Sequence, residues 1–173
     1  PHPFPIARRN TSTFLPFQRL FIDTMGPFPI DSDVNGNQYL LVAIDSFTRY
    51  CELKPCKTAS AVEAATFILE NIVSRYNIPI EIQTDCGSQF ANQLISHLLK
   101  VLNVKHRLST PYRPQSNGLV ERLNKEIAKA IRSTLLDRIE FSNSWSYTIP
   151  FVQRLLNSIT HSSTKQPPIR LLY

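Results

Sequence analysis

A chain of 173 residues with 42% hydrophobic content has the size and composition of one globular domain around one core. No apolar run approaches the roughly 18 residues of a membrane-spanning helix, and residues 1–16 lack the apolar stretch of a secretory signal. The net charge of +6 is uneven: residues 1–99 carry 7 basic and 9 acidic side chains, residues 100–138 carry 9 and 3, and residues 139–173 carry 3 and 1. Positive charge gathered in one segment suits a polyanionic partner.

Residues 1–16 hold four of the 13 prolines and no periodicity, and read as a linker or extended arm before a core over 17–173. The chain begins at Pro1 rather than Met, as expected of a piece of a longer protein. Arg19 to Met25 reads as a strand. Pro27 to Gln38 is rich in turn residues, with a hairpin signal at Asn35-Gly36. Asp31, Asp33, Asn35 and Gly36 imitate the start of a calcium loop, but Val42 stands where the bidentate Glu is needed, so the segment reads as a plain loop. Tyr39 to Phe47 and Tyr50 to Cys56 read as an antiparallel strand pair.

Ser60 to Tyr76 carries an apolar stripe at helical spacing, with Ser60 as cap and Glu63 at the capping-box position. Ile80 to Thr84 is a short buried strand, Ala91 to Leu102 a helix, and Val104 to Leu108 a fifth strand. A Pro-rich loop follows over 109–116. A long helix from about Asn117 to Asp137 turns Val120, Leu123, Ile127, Ala130 and Ile131 inward, and a further helix runs from Asn143 to Ser158. A meander of three strands followed by alternating helices and strands makes an α/β fold: a five-stranded mixed sheet flanked by helices. The first strand is expected to be central, with the fourth parallel beside it.

The three cysteines, Cys51, Cys56 and Cys86, are odd in number and show no paired spacing, which points to reduced thiols. Cys51 and Cys56 read as strand packing residues. No His/Cys cluster has the spacing of a zinc site.

Three acids stand out. Asp23 interrupts one apolar strand, Asp85 closes another, and Glu121 heads the long helix, 36 positions after Asp85. Of only 4 glycines, Gly26, Gly87 and Gly118 lie within three residues of these acids, where tight turns or close ligand approach are useful. Three carboxylates from two strand ends and a helix can hold two divalent cations for phosphoryl chemistry. Lys125 and Lys129, one and two turns beyond Glu121, can hold DNA phosphates, and Tyr112 and Gln115 lie in a loop able to reach a DNA end. Asp45, also in a strand, rivals Asp23. Topology favours Asp23, because the first strand neighbours the fourth.

The segments Phe21-Ile22-Asp23-Thr24-Met25-Gly26-Pro27, Thr84-Asp85-Cys86-Gly87-Ser88-Gln89-Phe90 and Pro114 to Lys125 together resemble the catalytic core of retroviral and gypsy-type LTR-retrotransposon integrases. The likeness spans roughly residues 17–172. It implies a ribonuclease H-like fold and an Asp-Asp-Glu (DDE) motif of Asp23, Asp85 and Glu121 binding Mg2+ or Mn2+ as two ions, with Asp45 structural. It implies 3′-end processing and strand transfer of retroelement DNA into host DNA, a homodimer or higher multimer, and work in the nucleus, reached through a virus-like particle or pre-integration complex. It further implies that Asn124 and Lys125 contact the DNA end, that Tyr112, Gln115 and Asn117 belong to or border the catalytic loop, and that flanking domains are needed for full activity. A related transposase, and a domesticated module that binds DNA or assembles without catalysis, are the alternative readings. The run Gln166-Pro167-Pro168-Ile169-Arg170 departs from the usual gypsy-type pattern and leaves the lineage open.

Overall fold

The computed structural model describes residues 15–29, 33–109, 114–137 and 144–173, with the backbone alone at 114–117 and 134–137. The Pro-rich arm therefore lies almost wholly outside the described residues, as does Tyr112.

Five strands form one mixed sheet: β1 (Arg19–Met25), β2 (Tyr39–Asp45), β3 (Cys51–Cys56), β4 (Glu81–Thr84) and β5 (Lys105–Leu108), in the order β3-β2-β1-β4-β5. β1 pairs antiparallel with β2 and parallel with β4, and β4 pairs parallel with β5. The central place of β1 and its parallel neighbour are as expected from the sequence. Both faces are covered. Alternation along the strands sends Leu20, Ile22, Leu41, Ala43 and Ile82 to one apolar cluster and Leu40, Val42 and Ile44 to the other. The first cluster lies under α1 (Ala61–Phe67) and α2 (Gln93–Val101). The second holds Leu123, Ile127 and Ile131 of α3 (Pro114–Asp137) with Ile149 and Val152 of α4 (Ile149–Ser158). Burying Ile127 completely is worth about 2–3 kcal/mol against leaving it in water.

The edge at β3 is closed by side chains instead of another strand. Asn157 of α4, 1% exposed, accepts from the Cys51 N–H at 2.8 Å and donates to the Cys51 carbonyl at 2.9 Å, and Gln153 Oε1 accepts from the Leu53 N–H at 2.8 Å. These bonds satisfy backbone groups that would otherwise form an open edge. At the other side, the buried Glu81 carboxylate takes Arg19 Nε at 3.0 Å and Arg107 Nε at 2.8 Å, so one acid ties β1, β4 and β5 together. Cys51 and Cys56 are buried strand residues and Cys86 is exposed.

Several elements differ from the sequence expectations. Ser60 does cap α1, through its Oγ and the Glu63 N–H at 3.3 Å, but the helix passes at Ile68–Val73 into π-helix. The expected helix from Asn143 begins instead as a 3-10 turn, Trp145–Thr148, before α4. Pro150 in the first turn of α4 explains the break, since its missing N–H cannot serve the carbonyl of an unbroken helix. α3 starts at Pro114, so Gln115 sits in the first helical turn and not in a loop. Pro at the first helical position is pre-set for that conformation. A short α5 (Pro168–Leu172) had no counterpart in the periodicity.

Asn35-Gly36 belongs to a turn, with the Gly36 N–H on the Asp33 carbonyl at 3.0 Å, but Asp33 then bridges Ser144 instead of opening a hairpin. Asp33 is 5% exposed; its Oδ1 accepts from Ser144 Oγ at 2.5 Å and Ser146 N at 3.1 Å, and its Oδ2 from Asn37 N at 3.0 Å and Asn37 Nδ2 at 2.8 Å. Burial alone would raise its pKa. The hydrogen bonds from Ser144, Ser146 and Asn37 outweigh it and hold the carboxyl down at about 2, against an ordinary 3.8. A carboxyl depressed on folding contributes stability that is present above its unfolded pKa and lost as pH falls through the folded one. Urea denaturation between pH 5 and pH 2 (as a working range, about three units) should therefore show a loss on the order of 2 kcal/mol in the wild type. Asp33→Asn should lower stability at neutral pH by a similar amount and flatten that acid limb.

Candidate active site

β1 carries Phe21, Asp23 and Met25 on the face covered by α3. Its parallel register with β4 pairs Ile22 with Thr84, so one residue further along each strand Asp23 and Asp85 stand side by side. β4 ends at Thr84, and the chain turns at once: the Gly87 N–H donates to Asp85 Oδ1 at 3.0 Å. β1 ends just beyond Asp23 at Gly26. Its φ of +125° and a Cβ position only 2.5 Å from the Gln38 carbonyl leave room for no other residue. Gly118 lies within α3, with open space around it.

α3 crosses this end of the sheet and brings Glu121 to the same place. Asp23, Asp85 and Glu121 all line one cleft of about 190 Å3, with Gln83, Thr84, Ser109 and Val120. Asp23 is half-buried, while Asp85 and Glu121 are exposed. Asn124, one turn after Glu121, donates from Nδ2 to Asp23 Oδ2 at 2.7 Å, and the Thr24 N–H donates to Asp23 Oδ1 at 2.8 Å. Burial raises the Asp23 pKa above its ordinary value. The bonds from Asn124 and Thr24 oppose that, and the charge of Asp85 adds to it.

Asp45 is excluded from this cleft by the antiparallel register, which pairs it with Leu20 at the far end of β1 while Asp23 faces Val42. It is fully buried and its Oδ2 accepts from Thr48 N at 2.9 Å and Thr48 Oγ1 at 2.7 Å, fastening the β2–β3 turn.

The donor set is all carboxylate oxygen, which matches a hard divalent cation and not zinc. Asn124 Oδ1, beside Asp23, is a buried acceptor with no partner among the described residues. No three His, Cys, Asp or Glu side chains among the described residues are grouped as a closed metal site. The acids share a cleft without converging on one point.

A family profile described as an integrase core domain matches residues 15–114, more than half of the chain. The chain belongs to the integrase core domain family. The Pro-Pol polyprotein of simian foamy virus type 3 (strain LK3) is 34% identical over 158 residues, covering 91% of this chain and 13% of that polyprotein. The integrase core thus spans a small part of the length of the relatives it matches. In fold it is similar to a chain of the simian T-cell lymphotropic virus intasome, solved in complex with PP2A regulatory subunit B56 gamma (TM-score 0.76, 23% identity, 92% of this chain and 55% of that one). It is also similar to the HTLV-2 integrase catalytic core domain in complex with magnesium in a trimeric form (TM-score 0.71, 20% identity, 92% and 98%). The sheet and its helices are the ribonuclease H-like fold of integrase catalytic cores.

The other residues expected at the DNA are placed unevenly in the integrase core. Lys125 and Lys129 are exposed along α3. Gln115 and Asn117 lie in its first turn with only their backbone described, and Tyr112 lies outside the described residues. Sequence reading missed Gln83 and Ser109, which line the cleft and are joined by Gln83 Nε2 donating to Ser109 Oγ at 2.8 Å. Register could have found Ser109: Thr84 pairs with Leu108, so Ser109 follows β5 as Asp85 follows β4.

Two of the influences on Asp23, the bond from Asn124 and the charge of Asp85, can be separated by sign. Asn124→Ala removes a donor that favours the ionised carboxylate and should raise the Asp23 pKa. Asp85→Asn removes a like charge and should lower it. Carboxyl-detected NMR titration of the two variants would show shifts in opposite directions.

Proposed function

We propose that this chain is the catalytic core of a DNA integrase, in which Asp23, Asp85 and Glu121 bind divalent cations, Mg2+ or Mn2+, as a pair of ions. The reaction is 3′-end processing of retroelement DNA and its strand transfer into host DNA. The observation that carries this reading is the side-by-side placement of Asp23 and Asp85 at adjacent strand ends, with Glu121 on the same cleft, in a chain of the integrase core domain family. The magnesium in the similar HTLV-2 core and the intasome in which the simian relative was solved support the cation and the DNA.

When bound, such cations supply Lewis-acid activation of the attacking oxygen and charge stabilisation at the leaving oxygen. The chain's own residues do the positioning. Asn124 holds Asp23 through Oδ2 and favours its ionised form. The Gly87 N–H orients Asp85. Lys125 and Lys129 hold backbone phosphates next to the cleft, and Tyr112, Gln115 and Asn117 are assigned to the DNA end on the family resemblance. Carboxylates that line a cleft without converging are drawn together by a cation, since without one they repel. The protein works as a multimer, as a homodimer or larger, within a pre-integration complex or virus-like particle whose destination is the nucleus.

Two experiments test this. Purified protein is given a branched DNA carrying a joined retroelement end, with Mg2+ or Mn2+. The wild type should cut and rejoin strands, whereas Asp85→Asn and Glu121→Gln should each lose at least about 1,000-fold in rate, of the order expected for removing a central electrostatic group, with unchanged melting temperature. Full activity in either variant would overturn the assignment. For DNA binding, the logarithm of affinity against the logarithm of salt should fall less steeply by about 0.9 for each of Lys125→Ala and Lys129→Ala. Equal slopes would remove those lysines from the DNA path.

A further inference from the structure

The carboxylate of Asp85 lies one residue past the end of β4, beyond the strand's own ladder. A position there would ordinarily have the freedom of a loop. What restrains it comes from β5, through the face of the sheet away from α3. Thr84, 2% exposed, lies on the same face as Ile82, which belongs to the cluster under α1 and α2. Its hydroxyl donates to the Asp85 carbonyl oxygen at 2.9 Å, and His106 Nε2 lies 3.0 Å from the same Thr84 Oγ1. A hydroxyl has one proton to give. With that proton on the Asp85 carbonyl, Thr84 Oγ1 is the acceptor and His106 Nε2 carries the hydrogen. The order is therefore His106 Nε2–H to Thr84 Oγ1–H to the carbonyl of Asp85.

The restraint extends on both sides. The Ser109 N–H donates to the Thr84 carbonyl at 2.7 Å, closing the last β4–β5 bond. Beyond the Asp85 carbonyl, the next peptide leads to the Gly87 N–H, which grips Asp85 Oδ1. Fixing the Asp85 carbonyl thus sets the turn from which its carboxylate is aimed. His106 itself is half-buried and is absent from the lining of the acidic cleft, so it would not touch DNA or a cation there.

We propose that His106 is a positioning residue for Asp85, acting through the Thr84 hydroxyl. The inference rests on the reading of Asp85 as a catalytic carboxylate, and it adds a histidine that neither the acids nor their spacing reveals. A group that orients a metal-binding side chain through a hydrogen bond characteristically alters metal affinity by about 10- to 100-fold.

The test compares His106→Leu, which cannot donate, His106→Gln, whose amide can, and the near-isosteric Thr84→Val. Three readouts are taken on the full chain. Imidazole 15N NMR should show His106 neutral with the proton on Nε2. Amide exchange at Gly87 should quicken about tenfold in His106→Leu and Thr84→Val, with the mid-sheet amide of Ile44 unaffected and His106→Gln close to wild type. The Mn2+ concentration that half-saturates thermal stabilisation should rise about tenfold in the same two variants and be restored by Gln. The proposal is overturned if the proton sits on Nδ1, if Gly87 exchange does not change, or if Gln rescues no better than Leu. Should His106→Leu fail to fold, Thr84→Val carries the comparison. A wild type that Mn2+ does not stabilise would sink the metal-site reading instead, and the NMR and exchange data would still decide the role of His106.

Discussion

Parallel pairing of β1 with β4 forces two carboxylates onto neighbouring positions at one end of the sheet. Strands in a ladder lie about 4.8 Å apart, and Asp23 and Asp85 stand one step past the last paired residues, Ile22 and Thr84. Burial is the main reason the Asp23 pKa is raised, and the like charge of Asp85 adds to it by disfavouring the ionised form. The register is in turn locked by groups remote from the acids. Glu81, sharing Arg19 and Arg107, pins β1, β4 and β5 at the opposite end of the same strands. A half-exposed arginine on each side lets the buried carboxylate keep part of its hydration through its partners, which offsets some of the cost of burying a charge.

α3 has to satisfy two requirements with one amphipathic surface. Leu123, Ile127 and Ile131 anchor it in the core beside Trp145 and Ile149, while Glu121, Lys125 and Lys129 stay in solvent. Asn124 sits at the boundary between these surfaces. It is the residue whose side chain crosses from helix to sheet, bonding Asp23 while leaving its own Oδ1 without a partner among the described residues. A buried polar atom without a partner costs about 1–3 kcal/mol. Such a cost is tolerated where function needs it, and this one lies on the edge of the acidic cleft.

β1 and β2 were legible because they are short runs rich in β-branched and aromatic residues between turn signals. Asp23 and Asp85 were legible because one interrupts and the other ends an apolar run, and Glu121 because it heads a helical stripe. What was hidden has a physical reason in each case. The stripe at Ile68, Leu69, Ile72 and Val73 fits a helical period whether the backbone closes α or π turns, so the π segment leaves no trace in composition. Gln115-Ser116-Asn117-Gly118 has poor helix propensity, and only attachment to the anchored remainder of α3 makes it helical. Asp33 read as one more polar loop residue, because its partners Ser144 and Ser146 lie more than a hundred positions away. Thr84 and His106 were invisible for the same reason: a threonine on a buried strand and a histidine on a polar edge strand become a pair only through the β4–β5 register.

Charge raises a problem that the proposed function must solve. Three carboxylates around one cleft repel a polyanion, yet DNA has to reach them. Cations held by the acids would cancel the local negative field, but that alone attracts nothing at longer range. Lys125 and Lys129, one and two turns past Glu121, stand about 6 and 12 Å further along the helix axis, within or near one screening length of the cleft at physiological salt. They can draw phosphates along α3 without neutralising the acids themselves. The cleft, at about 190 Å3, is small beside the 300–1,000 Å3 typical of pockets that enclose small molecules. A shallow acidic notch beside a row of lysines suits a substrate gripped by its backbone and touched at one phosphodiester. On the proposed reading, binding falls to the lysines of α3 and chemistry to acids from β1, β4 and α3, so weakening one need not weaken the other.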